Sequence, residues 1–229
     1  MGVRHPRLSA LLALLLLVPA PSIGTIMAME ILPGPIGQTI YGLCKLWLLA
    51  VPVVWTLLVD QNQLGWSRPR QGGLVTGAAV GIVLSAFILA GYGLVARRWI
   101  DPSHIRQMAE QNGIDSRSTY LAFAAYLVLI NSLLEEYVWR WFVFKKTEVL
   151  FPNWPAVPIA ALFFTIHHVV ALRLQLNWTL TLLASAGVLA GGVILSWFYL
   201  RYRSIWPGYF SHAILDVVIL AIGWRLIFG

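Results

Sequence analysis

Seven runs of about 20 mostly apolar residues, at 9–28, 40–59, 74–96, 119–144, 155–175, 179–200 and 205–228, leave this chain essentially one fold class. A helix rises 1.5 Å per residue, so a run of that length crosses a hydrocarbon layer of about 30 Å. Inside such a layer every backbone N–H and C=O must be satisfied within the protein, which a continuous helix does by itself. The expected architecture is all-α: a polytopic transmembrane bundle of about seven helices, with 1–229 forming a single integral membrane domain. Composition agrees, because 59% of the residues are hydrophobic and 11% are charged, whereas a soluble domain has about one quarter charged. Breakers fall at the joints: Pro33 and Pro35, Arg68-Pro69-Arg70 with Gly72-Gly73, Pro152, Pro155 and Pro158, then Pro207. Trp154, Trp178, Tyr199, Tyr202 and Trp206 gather near run ends, as interfacial aromatics do.

The first run has a basic start and an apolar stretch like a signal peptide, but its apolar character continues towards Met27, so a retained first span is expected, kinked at Pro19 and Pro21. Gly2 does not begin a myristoylation signal, since Pro6 stands where Ser or Thr is required. The lone Cys44 allows neither an internal disulfide nor a cysteine metal cluster. The net charge of +7 reads as basic loops on the cytoplasmic side and not as nucleic-acid binding. Arg4 and Arg7, Arg68 and Arg70, Lys145 and Lys146, and Arg201 and Arg203 fall on one side if the spans alternate. Arg97, Arg98, Arg106 and Arg117 dissent. They belong to the longest polar insert, 97–118, where Ser103 is expected to cap a short interfacial helix ending near Gly113 and His104 reads as solvated. GVLAGG at 187–192 is expected to pack closely against a neighbouring helix.

Ionisable residues within the apolar runs carry the functional argument, because charge at membrane depth is costly and usually functional. They are Glu135-Glu136, His167-His168, His212 and Asp216. Counted from the end that holds Lys145 and Arg201, Glu135 lies about 14 Å deep, His168 about 20 Å, His212 about 10 Å and Asp216 about 16 Å. Three spans therefore bring them to similar depths. In EEYVWR, Glu136 and Arg140 are four apart and can pair, which leaves Glu135, turned by about 100°, free to face a cavity. A carboxylate in a low-dielectric pocket suits a general base. In ALFFTIHHVVAL, one of His167 and His168 is expected to face the site. In SHAILD, His212 and Asp216 share a helix face, where Asp216 could orient the imidazole or share a water or metal with it. Taken singly, each of these is equally readable as a structural ion pair, core histidines or a helix-internal bond. Two histidines with carboxylates can bind zinc, or activate water with no metal.

These residues resemble the CAAX prenyl endopeptidase and bacteriocin-processing (CPBP, or Abi) intramembrane protease family. Its pattern is E-E-x-x-x-R, then F-x-x-x-H, then H-x-x-x-N or D, each on its own transmembrane helix. Here Glu135, Glu136 and Arg140 match the first motif, Phe164 and His168 the second, and His212 and Asp216 the third. The match spans about 119–220. The resemblance implies that Glu135 activates the attacking water with His168, and that His212 and Asp216 hold the oxyanion. In a metalloprotease reading Glu135, His168, His212 and Asp216 are metal ligands. Glu136, Arg140, Phe164 and His167 are supporting residues. Phe163 to His167 has the same spacing; His168 is preferred because the doubled Phe then stands directly ahead of the motif.

The expectation is thus an intramembrane endopeptidase of the plasma or inner membrane, opening to the cytoplasmic side. It would act on a membrane-associated peptide or protein, prenylated or leader-bearing, using a divalent metal such as zinc or glutamate-activated water alone. The competing expectation is a non-enzymatic membrane protein, a proton-coupled carrier or scaffold with a buried Glu/His/Asp network. A relay needs a polar path between both faces, and ahead of 119 the spans offer only Lys45, placed near one end.

Overall fold

The computed structural model describes residues 5–65 and 67–229. Gly2 and Arg4, used above for lipidation and orientation, lie outside the described residues. Among the described residues there is no strand, and seven helices are long and apolar enough to cross a membrane. They are Pro6–Ile31, Pro35–Val59, Leu74–Arg98, Arg117–Leu150, Ala156–Arg173, Trp178–Tyr202 and Trp206–Phe228, referred to as the first to seventh spans. The protein is an all-α integral membrane protein.

Local chemistry explains the interruptions. A turn at Val18-Pro19 separates Pro6–Leu17 from Ala20–Ile26, since proline cannot donate to the helix ladder. Pro52 sits inside the second span, and the backbone passes into a π-helical turn, Trp55–Val59, directly after it. The fourth span runs on to Leu150, beyond the end expected at 144, because the helical Lys145–Leu150 continues past its apolar run.

Small residues set how closely the spans approach. In hydrocarbon there is no hydrophobic drive between helices, so packing relies on close backbone contact. The third span buries Gly77, Gly81 and Ser85 against the seventh. A Cβ on Gly77 would lie 2.2 Å from the Pro207 carbonyl oxygen, and one on Gly81 would lie 3.0 Å from the Ser211 backbone. This stripe seats the stretch of the seventh span that carries His212. In GVLAGG only Gly192 packs as expected, at 3.2 Å from Phe164 and 3.3 Å from Ala161 when a Cβ is placed on it. Gly187 and Gly191 face open space, because a helix turns them away from the fifth span.

The basic end is tied together by polar contacts. Lys146 Nζ donates to Asp60 Oδ1 at 2.7 Å, and Arg203 pairs with both Glu148 oxygens at 2.7 and 2.8 Å. Ser204 Oγ donates to the Ser67 carbonyl at 2.7 Å, and the first helix packs on Lys145–Leu150. The ends of the second, fourth and sixth spans therefore lie together, as alternation requires. At the other end the short helix Pro102–Gln111 is capped by Asp101 and not by Ser103. Pro102 takes the first helical position, so the preceding residue is the cap. Ser103 donates to Asp101 through both Oγ and its backbone N–H, which holds that carboxyl below its usual range. Arg106 from this helix donates to the Leu226 carbonyl at 3.1 Å, closing the end of the seventh span.

The buried core lies around the fourth span: Trp139, Trp141, Phe142, Val143 and Phe144 pack with Leu14, Leu17, Val157, Phe164 and Tyr199.

Candidate active site

The fourth span is not a uniform α-helix where it carries its two glutamates. A π-helical turn, Leu127–Asn131, precedes a single α turn, Ser132–Glu135, and a longer π segment, Glu136–Phe144, follows. Such insertions concentrate at functional positions because they re-aim side chains. Here they divide the pair. The Glu136 side chain is 0% exposed, whereas that of Glu135 is 17% exposed.

Glu136 Oε1 lies 3.4 Å from Arg140 Nη1, so the expected pair forms, without hydrogen-bond alignment. The guanidinium instead covers the Phe164 ring, 4.3 Å from its centroid. A cation over an aromatic face keeps part of its compensation without a donor–acceptor bond. The same Glu136 oxygen accepts from His212 Nδ1 at 3.0 Å.

On the fifth span, His168 Nδ1 lies 3.0 Å from the Phe164 carbonyl one turn back. A carbonyl only accepts, so Nδ1 carries the proton, and in the neutral ring Nε2 keeps a free lone pair. His167 stacks on Trp139, with centroids 4.8 Å apart and planes 1° from parallel, and its Nδ1 is buried without a protein partner among the described residues. One ligand atom each from Glu135, His167 and His168 lies within 4.8 Å of the other two. The expectation that only one histidine faces the site is corrected: Glu135 reaches both rings, whose centroids are 4.0 Å apart.

The close group differs from the metal set expected from the sequence. Glu135 and His168 belong to the close group, but His167 completes it in place of His212 and Asp216. His212 Nε2 is 3.7 Å from Glu135 Oε2 and 3.9 Å from Asp216 Oδ2. Asp216 does not orient the imidazole; Glu136 does, from across the helix interface. Asp216 Oδ2 instead accepts from Ser132 Oγ at 2.7 Å. All four expected catalytic residues thus border one cluster, in two layers: Glu135, His167 and His168, and beside them His212 with Asp216.

Residues 117–218 match the Rce1-like family, described as type II CAAX prenyl endopeptidase. The match agrees with the CPBP resemblance and contains every residue of the three motifs. No curated protein and no solved structure matches the chain.

Sequence reasoning missed four participants, three of them within the Rce1-like segment. Asn131 Nδ2 donates to Glu135 Oε1 at 2.9 Å, and Ser132 holds Asp216. Gly208 makes room for Glu136: a Cβ there would lie 2.4 Å from Glu136 Oε2. Each is polar or small and one turn from a motif residue, which is the signal that could have found them. The fourth, Lys45, lies outside the Rce1-like segment. It is the eleventh residue of a span that begins at Pro35 and ends at Val59, near the middle and not at one end as expected, because the span starts earlier than its apolar run. Its Nζ donates to Asn131 Oδ1 at 3.3 Å.

Proposed function

We propose that this protein is an intramembrane endopeptidase of CAAX prenyl protease type, hydrolysing a peptide bond of a membrane-associated, prenylated or leader-bearing substrate. The observation that carries this reading is the grouping of Glu135, His167 and His168 within 4.8 Å, inside the segment that matches the Rce1-like family. Charge at this depth is costly, and a catalytic cluster accounts for its presence.

Glu135 accepts a proton from the attacking water, helped by the free Nε2 of His168. The water oxygen bonds to the scissile carbonyl carbon. When the C–N bond breaks, Glu135 returns the proton to the departing nitrogen. A doubly protonated His212 would donate from Nε2 to the oxyanion while Nδ1 stays on Glu136. Glu136, Arg140 and Phe164 hold His212 and the helix in place.

The donor set also fits a divalent metal such as zinc. One carboxylate and two imidazoles form a common zinc triad, His168 has its tautomer set by Phe164, and His167 Nδ1 has no protein partner. Glu135, His167 and His168 would hold it; bound there, it would polarise the carbonyl and acidify a water. An opening on the cytoplasmic side of a plasma or inner membrane is the reading that the basic end supports under the positive-inside rule.

The test is cleavage of a fluorogenic farnesylated peptide with a CAAX terminus by protein reconstituted in liposomes, with zinc measured in the purified protein and a chelator arm. Cleavage by wild type and its loss in Glu135→Gln are expected. Equal cleavage by both proteins overturns the mechanism. No cleavage, with proton flux across the same liposomes, favours the carrier reading.

A further inference from the structure

Lys45 is a cation in the middle of the second span, in the apolar surroundings IYGLCKLWLLA. Among the described residues it forms no ion pair; its one polar partner is the neutral side chain of Asn131, with the Tyr41 ring 5.5 Å away. An ammonium only donates and a carboxylate only accepts. An amide between the two has a single orientation that serves both: its oxygen towards Lys45 and its NH2 towards Glu135. The distances trace that chain, 3.3 Å from Lys45 Nζ to Asn131 Oδ1 and 2.9 Å from Asn131 Nδ2 to Glu135 Oε1. It spends one Glu135 oxygen on Asn131 and leaves Oε2 towards His212. Asn131 can take this place because it ends the π-helical turn Leu127–Asn131, four residues before Glu135.

We infer that Lys45 is a positioning residue for Glu135, acting through Asn131 from a helix outside the family-matching segment. The inference rests on Glu135 as the proposed base. Without the cation nothing anchors the Asn131 oxygen, so the Asn131 side chain can swing away from its place between the helices, and Glu135 is then free to leave the geometry that faces the histidines.

The experiment compares wild type with Lys45→Met, Lys45→Gln, Lys45→Arg, Asn131→Leu and Lys45→Met/Asn131→Leu, using the farnesylated peptide and a thermal unfolding check. Partners that orient a reactive group from behind typically account for about tenfold or more in activity. Lys45→Met and Lys45→Gln should therefore lose about tenfold in kcat with KM changed by less than about twofold. Gln belongs with the losses because a neutral donor holds the Asn131 oxygen less firmly than an ammonium does. Lys45→Arg, again only a donor, should recover most of the rate, and the double variant should be no slower than the worse of its singles. Wild-type kcat in Lys45→Met and Lys45→Gln, or a change confined to KM, overturns the inference. A second readout needs no activity: the 15N side-chain amide resonance of Asn131, assigned by its loss in Asn131→Leu. It should move in both Lys45→Met and Glu135→Gln, and an unmoved resonance overturns the inference. If wild type fails to cleave while this resonance moves, the endopeptidase reading fails and the Lys45–Asn131–Glu135 chain stands.

Discussion

His212 on the seventh span donates from Nδ1 to Glu136 on the fourth at 3.0 Å. The two residues are 76 positions apart in sequence and belong to different motifs. Their bond ties the third motif to the first and turns Nε2 towards Glu135. Glu136 thereby serves two partners, Arg140 and His212, although it is fully buried. It is the glutamate that joins the two helices, whereas Glu135 is the one that lies against both histidines.

Arg140→Ala should cost about 3–5 kcal/mol in stability, because it leaves Glu136 charged and buried with only His212 beside it. Glu135→Gln should unfold like wild type, since its shape and its bond to Asn131 are kept. Denaturant titration in detergent micelles compares the two; equal destabilisation would contradict the division of roles.

His167→Ala and His168→Ala should both abolish most cleavage. The doubled Phe directly ahead of the motif favours His168, but both rings border Glu135. Groups that act as one unit are not additive, so the double variant should be scarcely slower than either single. Turnover of the farnesylated peptide, with circular dichroism to verify folding, decides this; full activity in His167→Ala would restore a lone motif histidine.

Gly208→Ala should weaken both stability and activity, because its Cβ would fall 2.4 Å from Glu136 Oε2. The forced shift resembles overpacking and should cost about 1–3 kcal/mol. Gly187→Ala, at an open position, should be neutral within about 0.5 kcal/mol. Thermal unfolding of the two variants side by side is the measurement.

Gly77→Val should separate the third and seventh spans, since even a Cβ would meet the Pro207 carbonyl at 2.2 Å. Cleavage should fall although residue 77 lies against Pro207 and outside the motifs, because the seventh span carries His212. A variant as active as wild type would show that the third span does not seat the site.

Much of this was legible in the sequence. The spans announce themselves because a membrane admits few backbone solutions, and length with apolar composition is enough to find them. The three motifs stood out because Glu135, Glu136 and Asp216 are the acidic residues deep within those runs. The Glu136–Arg140 pair follows from helical periodicity alone. The apolar run at 40–59 sets Lys45 near an end, because it hides the earlier start at Pro35. Ser103 reads as the cap in the sequence, whereas Asp101, one residue before Pro102, caps the helix in the structure.

The sequence by itself determined the class of fold, the number of spans and the residues that had to be accounted for at membrane depth. Tertiary structure decided which of them meet: that His167 joins His168, that Glu136 and not Asp216 holds His212, and that a lysine from the second span reaches Glu135 through Asn131. The reason is that these outcomes depend on how each helix is rotated about its axis. That rotation is set by π-helical turns in the fourth span and by glycine contacts such as Gly77 on Pro207. Neither is encoded in the period of the helix that carries the motif; both arise from packing between residues far apart in the chain.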